Sequence, residues 1–256
     1  MPRLLRGLAG LAGFLLLWEG AVRVGLLRAE FIPPPSIVLV RVGQLLVDVS
    51  FLRDLIATVL ASLIALLIAI AIAVPAGLLL GSIPALRLAT ASIVEFLRPI
   101  PVTALIPLVL LLIGSGPDAK ITLAVYASLW PIMFNTIYAL GEIDPVLMET
   151  ARACGTSRGR ILTSVALPHT APFVFTGIRL SATITLLAVV AVELLAGSEV
   201  GLGHFIVDAN TGTARFDLVY AGTVVAGVLG LLINEGLERL GNRLFRWSTV
   251  DREGVA

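Results

Sequence analysis

The stretch from Leu55 to Leu80, LIATVLASLIALLIAIAIAVPAGLLL, contains no ionisable side chain. It exceeds the roughly 20 residues that a helix needs to cross about 30 Å of hydrocarbon. A run of this kind has few places to go except into lipid, and it does not stand alone. Hydrophobic residues make up 58% of the chain and charged residues 14%, with a mean hydropathy of +1.02. Soluble domains are about 45–50% apolar and about 25% charged. Backbone polar groups in a bilayer must be satisfied within the spanning segment, and long unbroken apolar runs, as opposed to roughly ten-residue alternating ones, select helices over a barrel. The expected fold class is therefore all-α, a polytopic membrane protein.

The same test predicts five further spans, at Leu8–Leu27, Leu88–Ile113, Ile121–Leu140, Ala171–Leu195 and Leu218–Leu237. Six spans nearly exhaust the 256 residues and leave no room for a soluble catalytic domain. One membrane domain over 1–256 is expected. In it, 1–50 holds the first span and an external loop, and 51–247 is a five-span core that includes the polar segment 142–170. Arg3 and Arg6 before an apolar stretch also suit a signal peptide, but no small-x-small cleavage site follows Glu19 and Arg23, so an uncleaved span is expected.

With the N-terminus inside, Arg3, Arg6, Arg87, Arg152, Arg158, Arg160, Arg239, Arg243, Arg246 and Arg252 are cytoplasmic, against Arg28, Arg41, Arg53, Lys120 and Arg215 outside. The bias favours this orientation over its inverse, with both termini cytoplasmic and Trp247 at the inner headgroup level. Net charge is only +1, and no basic nucleic-acid patch is present. Cys154 is the single cysteine, which rules out an internal disulfide and a cysteine-rich metal site. His169 and His204 fall on opposite faces of the membrane in this arrangement, so they cannot share a metal.

Several stretches bear on mechanism. IPPPSIVLVRVGQLL after the first span reads either as a linker or as an external loop leading into a short amphipathic helix. Gly77 and Gly81 stand at the spacing that lets helices approach closely in lipid, a weak signal in a chain with 24 glycines. In EFLRPIPVTALIPL, Glu95 and Arg98 share a helical face and precede Pro99, Pro101 and Pro107. An ionised group at a span's centre costs about 2.5–3.5 kcal/mol on insertion scales, so the pair either lines a pathway or gate, or snorkels at the cytoplasmic interface. The prolines predict local unwinding re-satisfied by protein or cavity water. GSGPDAKIT has glycines and Lys120 but lacks the glycine before the lysine and the hydroxyl after it, so it is no phosphate-binding loop. Arg179 and Glu193 lie about four turns apart on one span and cannot pair with each other. Candidate partners are Glu95 or Arg98, through a structural bridge or a contact with an anionic solute. The glycine-rich GSEVGLGHFIVDANTGTARFD is expected as the last external loop.

The polar segment GEIDPVLMETARACGTSRGRILTSVALPH interrupts this apolar pattern. Asp144 and Pro145 start a helix, as an N-cap acceptor followed by a residue whose missing N–H costs nothing there. Gly155 supplies the left-handed position that ends it, and Thr156 or Ser157 caps a second helix that stops before Pro168. Two short helices joined at a glycine elbow are too polar to cross and too regular for a slack loop. The alternative, an amphipathic loop lying on lipid, calls for more bulky apolar residues on one face.

Glu149, Thr150 and Ala151, then Gly155 after three residues, then Val165, Leu167 and Pro168 after nine more resemble the EAA loop of binding-protein-dependent ABC importer permeases. That loop reads E-A-A, three residues, G, nine residues, I-x-L-P; Thr150 and Val165 depart from it. IPPPSIVLV, EFLRPIPVTALIPL, NTIYALGEIDPVLMETARACG and the terminal FRW resemble the subgroup serving nitrate, sulfonate, taurine and bicarbonate, so the likeness covers nearly the whole length. The resemblance implies a type I ABC importer permease fold, a pair of six-span subunits in a bacterial cell membrane, two cytoplasmic ATPase subunits and an external solute-binding protein. It implies no cofactor in this chain, with ATP and magnesium on the ATPase. Glu149 and Arg152 would contact the ATPase, Ala151 would permit close approach, Gly155 would set the elbow, and Leu167 and Pro168 would close the second helix. Glu95, Arg98, Arg179 and Glu193 remain the candidates for a path or gate. A stand-alone ion-coupled carrier would rely on Glu193 and leave the elbow unexplained. An intramembrane enzyme would need paired nucleophiles or metal ligands at depth, which the sequence lacks.

Overall fold

The computed structural model describes the backbone of residues 2–211 and 214–246, and their side chains apart from residues 2–4, 158 and 162. Every regular element among them is helical. In chain order these are α1 (Pro2–Arg23), α2 (Pro35–Leu45), α3 (Val49–Ser82), α4 (Pro84–Leu97), α5 (Val102–Ile113), α6 (Pro117–Gly141), α7 (Pro145–Ala153), α8 (Arg158–Ile161), a π turn (Leu162–Ala166), α9 (Leu167–Leu195), α10 (Leu202–Thr211) and α11 (Phe216–Leu244). Five helical stretches among the described residues are long and apolar enough to span, and α4 with α5 makes a sixth only as a bent pair. Trp247, expected at the inner headgroups, lies outside the described residues.

The centre of the bundle is α3, α6 and α9. On α3, Ala61, Ala65, Ala69, Ala73 and Gly77 recur every fourth residue and are all buried, which forms a smooth ridge that neighbouring backbones can approach. Ala69 and Ala73 meet Ile132, Met133 and Ile137 of α6, while Ala61 and Ala65 meet Ala124 of α6 and Ala188 and Val189 of α9. Gly77 belongs to this contact: a Cβ there would stand 2.6 Å from Thr136 Cβ and 2.9 Å from the Met133 carbonyl oxygen. Gly81 likewise faces Leu140. Between α9 and α6 the Ser181 hydroxyl donates to the Ser128 carbonyl at 2.7 Å.

One end of the bundle is tied by shorter elements. Pro34, extended, precedes α2, whose Val38 and Leu45 pack with Phe51 of α3, Leu202 of α10 and Ala221 and Val225 of α11. The stretch 198–217 is thus half helix rather than a plain loop. Arg41 of α2 reaches Asp217 at 2.6 Å. α1 lies at the edge, with Trp18 against Tyr220 of α11 and Glu19 accepting from the Ser36 N–H at 3.0 Å. Its large exposed side chains, Leu8, Leu11, Phe14, Leu16 and Leu17, suit contact with lipid.

Asp48 caps α3, with Oδ1 accepting from Ser50 N and Oγ and from Phe51 N. The Ser50 hydroxyl first, then these amides, hold its carboxyl below the usual carboxylate range. A depressed native value means that the cap contributes above the unfolded-state pKa and fades as pH falls through the lower native one. Asp48→Ala should remove the cap, read as a lower melting temperature at neutral pH whose gap from the parent narrows on acidification. A gap independent of pH would rule the cap out.

Two expectations about helix limits are corrected. Leu88–Ile113 is not one straight span, because α4 and α5 meet at 91° across Arg98–Pro101. Arg98 is still helical, but Pro99 and Pro101 lack the N–H donors that would continue the ladder and Pro101 is extended at ψ 131°, so the chain breaks instead of unwinding by a turn. The second helix of the polar segment does not stop before Pro168. The π turn at Leu162–Ala166 precedes it, and Pro168 occupies the start of α9, where a missing N–H and a fixed φ are tolerated. Helix thus runs from Gly159 to Leu195, 37 residues.

Candidate functional site

The polar elbow is built as its local chemistry dictates. Asp144 Oδ1 accepts from Val146 N at 2.8 Å, with Pro145 at the first helical position. At the other end Gly155 has φ +72°, its N–H donates to Arg152 O at 2.9 Å, and Thr156 N–H donates to Ala151 O at 3.1 Å. These are the two reverse bonds of a Schellman cap, so the last turn of α7 has its carbonyls satisfied and its direction fixed. A Cβ at Gly155 would meet nothing within 4 Å, hence the requirement there is conformational and not steric. No residue of α7 is buried. Glu149, Thr150 and Arg152 are exposed, Ala151 is half-buried, and Val146 and Leu147 add apolar surface at 63% and 52% exposure. A helix capped at both ends and buried on no face projects from the bundle.

The segment after the elbow continues through α8 and the π turn into α9, with Leu167 and Pro168 exposed near the junction. At 1.5 Å per residue the stretch Gly159–Leu195 is about 55 Å long. Its far half packs into the centre of the bundle through Ser181, Ala182, Thr185, Leu186, Val189 and Val192. One helical stretch therefore joins the elbow to the core.

Arg179 and Glu193 find partners other than Glu95 or Arg98. Arg179 Nη2 binds Glu238 Oε2 at 2.6 Å and its Nε donates to Asn234 Oδ1 at 2.9 Å, bridging α9 to α11. Both partners are partly exposed, so the link is a modest one. Glu193 is 1% exposed and pairs with Lys120, 4% exposed, at 2.7 Å. Thr58 Oγ1 donates to the same carboxylate at 2.9 Å, Gly203 N at 3.0 Å, and Lys120 also donates to Val200 O at 3.1 Å. Leu202 N donates to Thr58 Oγ1 at 2.8 Å, so each group in the cluster has its partners. The network joins α3, α6, α9 and α10 at one end of the bundle, and Gly201, at φ +143°, leaves room for the carboxylate.

Sequence reading placed Lys120 in an external loop. It lies instead in the first turn of α6 and is buried. The available signal was positional, since a lone lysine one turn into a span and a lone glutamate near the end of an antiparallel span fall at equal depth.

Glu95 and Arg98 are exposed on the surface of the single chain, and no ion pair joins them or links either to another described residue. The Arg98 guanidinium lies over the Phe134 ring, 4.5 Å from its centroid, a cation–π contact. Tyr126 OH donates to the Leu97 carbonyl at the end of α4. Tyr126, Trp130, Phe134 and Tyr138 stand every fourth residue along α6, with ring contacts of 5.7 Å for Tyr126–Trp130 and 5.9 Å for Phe134–Tyr138. An aromatic stripe thus follows α6 past the break between α4 and α5.

Comparison with known proteins fits this architecture. Residues 73–246 match the family described as binding-protein-dependent transport system inner membrane component. A putative ABC transporter permease protein of Methanocaldococcus jannaschii is 33% identical over 174 residues, which cover 68% of this chain and 65% of that one. The taurine transport system permease protein of Escherichia coli is 30% identical over 242 residues, 93% of this chain and 87% of the relative. Among solved structures, a bacterial alginate ABC transporter in complex with a periplasmic protein bound to an alginate pentasaccharide superposes with a TM-score of 0.64 at 18% identity, covering 94% of each chain. That likeness shows the shared fold. This chain belongs to the binding-protein-dependent transport system inner membrane components, as a permease subunit of an ABC importer.

Proposed function

We propose that two copies of this chain form the membrane path for a small anionic solute, delivered by an external binding protein and driven by two cytoplasmic ATPase subunits that seat on α7 and α8. The observation that carries the reading is the helical stretch from Gly159 to Leu195, which passes through the π turn and joins an exposed, doubly capped projection to the packed centre. In this reading Glu149 and Arg152 offer charges of both signs to the ATPase and Ala151 lets its surface approach. Leu167 and Pro168 sit where the lever enters the span, and the solute moves along the face that carries Arg98. ATP and magnesium belong to the ATPase. The N- and C-termini are cytoplasmic, on the side of the elbow, consistent with the arginine bias. The unit 51–247 acts as the core, with 1–50 as a peripheral span and its outer connection. The anionic class follows from Arg98 together with the taurine relative, since taurine carries a sulfonate.

A stand-alone ion-coupled carrier would need an available carboxylate at depth. Glu193, the candidate for that role, is saturated by Lys120, Thr58 and Gly203 and is not free to exchange an ion. The deciding experiment is reconstitution with the ATPase and binding protein encoded alongside this chain. Uptake into vesicles is expected only with ATP and both partners, and the binding protein should raise ATP hydrolysis. Accumulation by vesicles that contain this chain alone would overturn the reading.

A further inference from the structure

We propose that the break between α4 and α5 is an anion-binding station within the path, in which Arg98 holds the charged oxygens of a sulfonate or carboxylate beside the aromatic stripe of α6. The proposal rests on the reading of this chain as an importer's membrane path.

Depth comes first. Arg98 lies over Phe134, and the preceding carbonyl, of Leu97, accepts from Tyr126. Those two residues bracket the middle of α6, Pro117–Gly141, whose 25 residues span about 37 Å. The Arg98 guanidinium is therefore held about 10 Å along α6 from its Gly141 end, within the stretch read as crossing hydrocarbon. It is nevertheless exposed on the single chain, with no carboxylate of the described residues in ion-pair contact. A guanidinium at that depth does not face acyl chains; it faces a water-filled cavity or a second subunit.

The surroundings have a sign. At the end of α4 the Leu97 carbonyl accepts from both Tyr126 OH and Ile100 N, so this acceptor is already engaged. On the other side of the break α5 starts after Pro101 with no side-chain cap, and Gly114 ends it toward the far surface. Its first N–H groups have the same polarity as Arg98. The indole N–H of Trp130, on the same stripe, is buried within the single chain and has no hydrogen-bond partner among the described residues. Cation and helix start both favour an anion. Glu95, one turn away on α4, makes no ion pair with Arg98 and leaves the guanidinium free for a solute. A planar guanidinium suits a carboxylate or sulfonate, which accept two parallel N–H bonds.

Trp130 makes the station measurable. The chain has 3 tryptophans, and Trp18→Phe with Trp247→Phe leaves Trp130 as the reporter in vesicles that contain the full chain alone. Iodide and acrylamide, present on both sides of the membrane, serve as the anionic and neutral quenchers. Arg98→Gln should lower the iodide quenching constant about threefold, the loss of a locally raised anion concentration, with acrylamide unchanged and Arg98→Lys near the parent. In the Arg98 protein, methanesulfonate should protect against iodide and neutral methanesulfonamide should not, a comparison that needs no variant to fold. The proposal fails if iodide quenching ignores Arg98→Gln, if both quenchers fall together, if neither reaches Trp130, or if methanesulfonate gives no protection. No ATP enters this assay, so its failure is distinct from a failure of ATP-driven uptake.

Discussion

Glu193→Ala is expected to lower the stability of the bundle by about 3–5 kcal/mol, the loss seen when one member of a buried ion pair is removed and the other stays charged. Lys120 is 4% exposed, and without the carboxylate it retains only the Val200 carbonyl. Thr58 and the Gly203 N–H lose their acceptor in the same step. The first consequence is loosening of the 197–203 connection, where Gly203 N–H loses its acceptor while Gly201 N to Asp54 and Leu202 N to Thr58 remain. Thermal unfolding of the purified protein in lipid nanodiscs checks this: the variant should melt far below the parent, with early cysteine accessibility when a reporter thiol is placed at Ser198. The combined replacement Glu193→Met with Lys120→Met should recover much of the loss, since a buried pair exchanged for apolar groups of similar volume is often neutral. A melting temperature for Glu193→Ala equal to that of the parent would show that the pair contributes nothing to holding its end of the bundle.

The second large effect is at the elbow. Gly155 sits at φ +72°, a region that costs other L-residues about 1–2 kcal/mol, and more for a β-branched one. Because nothing lies within 4 Å of its missing Cβ, Gly155→Val is not expelled by a clash; it acts by rotating the chain out of the left-handed conformation. The reverse bonds from Gly155 N to Arg152 O and from Thr156 N to Ala151 O then open, and α7 loses its angle to the shaft that begins at Arg158. Insertion and folding of the spans should be preserved. ATP-dependent uptake should fall on the order of tenfold, since small misplacements of a coupling element cost rates out of proportion to their energy. Asparagine tolerates the left-handed region, so Gly155→Asn should retain most uptake. Equal uptake by the valine variant would remove the elbow from the mechanism. Equal loss in both variants would shift the requirement from backbone conformation to the side chain's absence.

Much of this protein was readable from contiguous residues. The run from Leu55 to Leu80 dictated a span, and the same test located α1, α6, α9 and α11, with limits shifted by several residues. Asp144, Pro145 and Gly155 specified a capped helix and its stop, because N-caps and left-handed glycines are chemistry within a few residues. The alanine ladder Ala61, Ala65, Ala69, Ala73 is equally present in the sequence, continuing into the glycine pair Gly77 and Gly81. Its meaning depended on seeing α6 and α9 lie along it.

The sequence by itself determined an all-helical membrane chain with a polar elbow, since apolar run length and turn chemistry are local quantities. Only the tertiary structure decided that Lys120 belongs to Glu193 and Arg179 to Glu238, across 73 and 59 residues of chain. It also decided that the prolines after Arg98 bend a span through 91° and that the shaft runs on through Pro168. Those outcomes depend on the relative depth and rotation of separate helices, which packing of the whole bundle fixes and no single segment encodes.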